Sequence, residues 1–277
     1  MDLKQFKGAM PALITPFDGD GNIDVAKFNA FLDWLVPQVS GLYVVGSYGA
    51  GPVMSVEQRK TVISVVTERV GGRIPIVVHA GDPDTLTTID LAKFAAQKNV
   101  SAIASLTPYY YLHGRAEVDT HFLRLIDAVD KPIYLYNNPK YTNFCVTPEQ
   151  VASLAEKGLK GVKDSSANIQ LFYDLVAATK NFDGFNVLVG SQTILLPALV
   201  GGGHELDRVA GALAHRVAVL VLHQPVPEQR FERRLAVGHH RAHGEQRIEP
   251  VAELAGEALG DEVRRIPVGR HGAEGDD

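Results

Sequence analysis

Lys163 lies in GLKGVKDSS (158–166), where an apolar stretch runs out into a polar turn, and Asp164 follows it directly. A lysine so placed has two readings. It is a solvated or ion-paired ammonium, with Asp164 as partner, or it is an amine that condenses with a ketone, because a Schiff base turns the substrate's carbon skeleton into an electron sink. A partly dry site would lower the lysine pKa and favour the neutral amine near neutral pH. Tyr136 in PIYLYNNP (132–139) supplies what the lysine lacks. A phenol relays protons between carbinolamine, imine and substrate hydroxyl, and Ser47 in GLYVVGSYG (41–49) can hold or polarise it. Taken alone, Tyr136 reads more often as a core residue with a satisfied hydroxyl; beside Lys163 the proton relay gains weight.

GSYGAG (46–51) superficially resembles a phosphate loop, but it has neither GxxxxGK[ST] nor GxGxxG. Its glycines, Gly46 and Gly49 among them, more plausibly bring backbone N–H groups close to a small carboxylate; a tight turn without a ligand is the alternative.

These residues sit at the ends of apolar runs that recur about every thirty residues: 10–17, 41–49, 74–81, 102–111, 132–139, 158–166 and 185–192. The runs lack polar alternation, as expected of strands covered on both faces. Helical spacing fills the intervals. Asp24 is the expected N-cap of VAKFNAFLDWLVPQV, Ser55 and Gln58 form a capping box before a helix that stops at Gly71 and Gly72, and Thr147 with Pro148 opens another. DLAKFAAQK, AEVDTHFLRLIDAV and NIQLFYDLVAATK continue the pattern. The period predicts a (β/α)8 barrel, with a doubly wound parallel sheet as the alternative and an eighth strand expected shortly after residue 200. In a barrel the strand ends gather Thr15, Ser47, Tyr48, His79, Thr107, Tyr109, Tyr110, Tyr136, Asn138, Lys163, Asp164, Gly190 and Ser191 at one mouth.

A length of 277 residues suffices for a sizeable core, and a net charge of -5 gives no reason to expect nucleic acid or an anionic membrane as partner. The single cysteine, Cys145, excludes an internal disulfide framework and a cysteine-based zinc cluster. Pro11 and Pro16 cut the first apolar stretch, and neither a secretory segment nor a run of 18 apolar residues is seen. A cytoplasmic location is the expectation.

Composition changes after Gly203. All twelve lysines lie at or before Lys180, whereas ten of fifteen arginines and seven of ten histidines fall in 204–277, and Phe231 is the only one of twenty-one aromatics there. The division expected is a catalytic barrel region over 1–203 and an atypical Arg/His-rich region over 204–277, for which a shifted reading frame in a GC-rich gene is one explanation. HHRAH (239–243) clusters three imidazoles, but a metal site needs fixed geometry and organised surroundings, and none is expected.

ALITPF, GSYG followed by MS, TPYYY, YLYNNP, GVKDSS and VLVGSQ together resemble the pyruvate-dependent class I aldolases, which include dihydrodipicolinate synthase, N-acetylneuraminate lyase and 2-keto-3-deoxy-sugar-acid aldolases. The likeness runs from about residue 5 to Gly203. It implies Lys163 as the Schiff-base lysine, Tyr136 as the proton-relaying tyrosine, and Ser47 and Tyr48 at the hydroxyl positions of a turn that binds the pyruvyl carboxylate. It also implies that Tyr110 enters a neighbouring subunit's site, that the assembly is a homotetramer built as a dimer of dimers, and that no cofactor or metal is needed. The remaining substrate-binding candidates are Gly46, Gly49, Asn138, Tyr141, Gly190 and Ser191.

Three segments depart from the family pattern. Tyr48 replaces a small hydroxyl residue and Ala50 the usual glutamate. Tyr141 stands where dihydrodipicolinate synthases carry an arginine for the second substrate's carboxylate, and a phenol does not replace a bidentate charged contact. HELDRVAG stands where the eighth strand is expected. The resulting expectation is an aldolase acting on pyruvate and 2-keto-3-deoxy sugar acids or related 2-oxo acids. The alternatives are a 4-hydroxy-tetrahydrodipicolinate synthase and an inactive barrel that binds a 2-oxo acid or serves in assembly.

Overall fold

The computed structural model describes residues 8–200. The proposed eighth strand, the 204–277 region and HHRAH lie outside these residues.

Six strands form one parallel sheet in chain order: β1 (Leu42–Val44), β2 (Ile76–His79), β3 (Ala102–Leu106), β4 (Ile133–Asn137), β5 (Gly161–Asp164) and β6 (Asn186–Val189). The order never reverses, which is barrel progression and rules out the doubly wound alternative. Among the described residues the sheet is an open half-barrel. The run at 10–17 forms no full strand. It meets β1 at a single parallel bridge, Ala12 to Tyr43, flanked by Leu13 N–H donating to Tyr43 O at 2.9 Å and Tyr43 N–H donating to Pro11 O at 3.0 Å. Pro11 and Pro16 have no N–H to offer a ladder, so this expected strand shrinks to a bridge.

Helices α1 (Val25–Leu35), α2 (Val56–Val70), α3 (Thr85–Ala96), α4 (Arg115–Ala128), α5 (Pro139–Thr142), α6 (Pro148–Glu156), α7 (Ile169–Thr179) and α8 (Leu195–Val200) accompany the strands, α1 ahead of β1 and the others after successive strands. Their ends obey the expected signals. Asp24 caps α1, Ser55 and Gln58 close a reciprocal box on α2, Gly71 ends α2 in the left-handed conformation, and Thr147 precedes Pro148 at α6. Helix α3 starts before the expected DLAKFAAQK, because the Asp84 carboxylate accepts from Thr87 N–H at 2.7 Å and nucleates an earlier turn.

Strand side chains alternate between two apolar environments. Leu42, Val44, Ile76, Val78, Ile103, Ile133, Leu135 and Val162 belong to the large core shared with the helices. Tyr43, Val77, Ala102, Ala104, Leu106, Tyr134 and Tyr136 form a second cluster on the other face. Ala102 and Ala104 on β3 leave that inner face room for the three tyrosines and for Lys163.

Candidate active site

Lys163 is flanked on β5 by Val162 and Asp164, which alternation sends to the helix side, so its own side chain enters the inner cluster. In register it pairs with Tyr136 on β4. Its Nζ lies 3.8 Å from the ring centroid of Tyr43 and 4.0 Å from that of Tyr136. Both distances are well within cation–π range. None of the ion pairs among the described residues involves Lys163. Burial lowers its pKa, opposed in part by the Tyr136 phenol.

The ion pair with Asp164 considered from sequence does not form. The Asp164 carboxylate is buried and accepts from Asn137 Nδ2 at 2.7 Å and from Ser166 Oγ at 2.8 Å. Burial raises its pKa, while those hydrogen bonds pull it down. Adjacent strand residues point to opposite faces, which is why sequence neighbours of opposite charge remain apart.

The Tyr136 hydroxyl accepts from Asn138 Nδ2 at 2.9 Å. Burial pushes its pKa up, but the Lys163 charge and the hydroxyl and amide groups of Ser165, Ser47 and Asn138 outweigh that, and the phenol ends more acidic than usual. Ser165 Oγ is buried and, though near this phenol, completes no hydrogen bond of normal geometry among the described residues. A desolvated amine beside an acidified phenol is suited to nucleophilic attack with local proton transfer.

His79, fully buried, braces the floor. Leu106 N–H donates to its Nε2 at 3.2 Å, which leaves the proton on Nδ1 to be donated to Val45 O at 3.2 Å. Its ring stands edge-on to Tyr136, with centroids 5.8 Å apart. Burial, together with the Arg59 and Lys163 charges, pushes its pKa down to about 3, so the imidazole is neutral. The carbonyl it holds belongs to a residue at φ 62, unusual for a β-branched side chain. The turn that follows is tied from two sides. Thr15 Oγ1 donates to Gly49 O at 2.7 Å, and the buried Arg59 on α2 donates through Nε to Gly51 O at 2.7 Å.

The structure therefore brings together Lys163, Tyr136, Ser47, Asn138 and Gly190 from the sequence-derived set. A Cβ at Gly190 would lie 2.1 Å from Ser165 Oγ and 3.1 Å from Lys163 Cε, so a side chain there would crowd the cluster. Tyr48 is 62% exposed and Tyr141 57% exposed, the latter with Lys140 Nζ 5.5 Å from its ring centroid. Ser191 Oγ is hydrogen-bonded to Thr193 Oγ1 at 2.8 Å. Tyr110 is 82% exposed on the loop after β3, at φ 83, and none of its described contacts is with the Lys163 cluster. Sequence reasoning assigned no role to Tyr43 or Ser165 and gave His79 only a position. The signal for Tyr43 was its parity on β1, one residue out of phase with Leu42 and Val44.

Among the described residues no group of three or more histidine, cysteine, aspartate or glutamate side chains is placed to hold a metal, and no helix is long and apolar enough to cross a membrane.

The dihydrodipicolinate synthetase family model matches residues 5–221. The chain belongs to this family. Its chemistry is accordingly that of the pyruvate-dependent class I aldolases and lyases, so an enzyme replaces the inactive barrel among the readings. A 4-hydroxy-tetrahydrodipicolinate synthase from Maridesulfovibrio salexigens is 34% identical over 207 residues, 74% of this chain and 70% of that protein. A prophage protein of the dihydrodipicolinic acid synthase family from E. coli K12, solved in complex with pyruvate, superposes with a TM-score of 0.71 at 26% identity, covering 79% of this chain and 82% of that one. A 2-keto 3-deoxygluconate aldolase from Picrophilus torridus superposes at 0.68 with 25% identity, covering 83% and 88%.

Proposed function

We propose that Lys163 forms the pyruvate Schiff base and that Tyr136 moves the protons. The observation that carries this reading is the placement of Nζ within 4.0 Å of two phenol rings, with no ion pair among the described residues. The neutral amine attacks C2 of pyruvate, and the former carbonyl oxygen takes the Tyr136 proton to give a carbinolamine. Nitrogen loses a proton, the hydroxyl gains one and leaves as water, and an iminium remains. Loss of a C3 proton gives the enamine, whose C3 bonds to an aldehyde carbon as the aldehyde oxygen takes a proton from Tyr136. Hydrolysis frees the product and the lysine; the reverse sequence cleaves a 4-hydroxy-2-oxo acid. Ser47, Tyr48, Gly46 and Gly49 lie on the turn suited to the pyruvyl carboxylate, and the exposure of Tyr110 supports its service to a neighbouring subunit in an oligomer.

Two acceptors are supported by different observations. The names of the curated relatives support a synthase that joins pyruvate to a carboxylate-bearing aldehyde. Tyr141, a partly exposed phenol on α5, supports a neutral polyhydroxy aldehyde and hence 2-keto-3-deoxy sugar acids. Borohydride reduction with pyruvate followed by peptide mass spectrometry tests the common step: an adduct is expected on Lys163, and intact protein without one removes the assignment. Product formation from a panel of carboxylate-bearing and neutral aldehydes then selects the acceptor.

A further inference from the structure

The two phenols beside Lys163 Nζ are not equivalent. The Tyr136 hydroxyl accepts from Asn138 Nδ2 at 2.9 Å. Tyr43, only 3% exposed, has a buried hydroxyl with no hydrogen-bond partner among the described residues, and offers Nζ the face of its ring at 3.8 Å. It stands edge-on to Tyr136, with centroids 5.8 Å apart at 75°. Gly46 leaves room for this ring, since a Cβ there would approach its Cε1 to 2.9 Å.

We propose that Tyr43 is a positioning residue for Lys163, whose ring face takes the place of a counter-anion in holding Nζ and in supporting the positive charge of the ammonium and of the iminium that follows. For its catalytic meaning this rests on the Schiff-base reading; the contact itself can be measured without it. A carboxylate here would keep the amine protonated. A ring quadrupole attracts the cation more weakly and leaves the amine free to lose its proton. The ring also stays neutral throughout, since burial raises the Tyr43 pKa well above the ordinary phenol value. That leaves Tyr136 as the adjacent phenol able to take part in proton transfer. No carboxylate among the described residues supplies the missing anion around Nζ, and the Tyr136 hydroxyl raises the amine's pKa only in part. Tyr136 faces it from β4, neutral His79 on β2 stands edge-on to Tyr136 and tilted to Tyr43, and Asp164 lies on the opposite face of β5.

The full chain tests this in wild-type, Tyr43→Phe and Tyr43→Leu forms, with circular dichroism and melting to establish folding. Acylation by a limiting amine-directed reagent across pH, quantified at Lys163 by peptide mass spectrometry, reads the amine's titration without pyruvate. Borohydride trapping rates with pyruvate read its reaction. Tyr43→Leu is expected to lower the titration midpoint by about one pH unit and to slow trapping, while Tyr43→Phe, which keeps the ring, restores the wild-type profile. Gly46→Ala, whose Cβ would meet the Tyr43 ring at 2.9 Å and displace it, is expected to shift the midpoint and carries the test if Tyr43→Leu does not fold. An unmoved midpoint in folded Tyr43→Leu or Gly46→Ala, or a Tyr43→Phe profile that follows Tyr43→Leu, overturns the proposal. Ring-dependent titration without any wild-type pyruvate adduct would remove the Schiff-base reading and keep the contact. Normal trapping with ring-independent titration would do the reverse.

Discussion

Lys163 and Asp164 are neighbours on β5 and carry opposite charges, one half-buried and the other fully buried, yet the molecule treats them in opposite ways. On the outer face the Asp164 carboxylate is closed off by hydrogen bonds from Asn137 Nδ2, Ser166 N–H and Ser166 Oγ. On the inner face Lys163 meets two ring faces and no anion among the described residues. A buried charge that is fully hydrogen-bonded is a structural element; one left with weak partners is held ready to change its protonation state. Register alone, without any change in local composition, separates the two roles.

The largest expected contrast comes from removing the inner charge. Lys163→Met should abolish the pyruvate adduct and lower kcat by at least about a thousandfold, while thermal stability stays level or rises because an unpaired buried cation has gone. An adduct on a different lysine in the wild-type protein would break the comparison at once. Tyr136→Phe keeps the ring beside Nζ and deletes the proton carrier. Single-turnover imine formation should slow by about 10²–10³-fold with little change in melting temperature. On the outer face the balance reverses. Asn137→Ala leaves the Asp164 carboxylate short of a donor and should destabilise the fold by about 2 kcal/mol in urea unfolding, with adduct formation on Lys163 retained.

The smallest effect concerns pH. The folded pKa of Asp164 is raised above its ordinary value of 3.8, so its contribution is most favourable below that value and is lost as pH rises through the folded pKa. The melting temperature of Asp164→Asn relative to wild type should therefore increase as pH climbs from the acid range toward neutrality. A flat or falling difference would mean that the outer hydrogen bonds more than compensate burial.

Much of the fold was readable because it rests on local rules. The Ser55–Gln58 box, Gly71 and Thr147–Pro148 each act within one helical turn, and each forms as its spacing predicts. The run at 10–17 has the hydrophobic content of a strand, but Pro11 and Pro16 lack the N–H groups that a ladder needs. Lys163, Tyr136 and Ser47 could be singled out by residue type, since few side chains combine nucleophile and proton relay. Tyr43 could not, because its importance lies in a ring face aimed across the sheet, which depends on strand order and register. The pairing suggested by the adjacency of Lys163 and Asp164 failed for the same reason: distance along a strand is a poor guide to contact when the pleat sends neighbours apart.

Val45 shows what such an arrangement means for sequence drift. Its left-handed backbone, at φ 62, costs a branched residue about 1–2 kcal/mol, whereas its buried side chain returns about 1.5–3 kcal/mol. Glycine would relax the backbone and empty the core; a bulkier residue would fill the core and sharpen the strain. Substitution at this position is therefore opposed from both sides. A saturation library at residue 45 selected for soluble protein should favour residues near valine in size over glycine and over aromatics, so that the turn tolerates little traffic at the position it leans on.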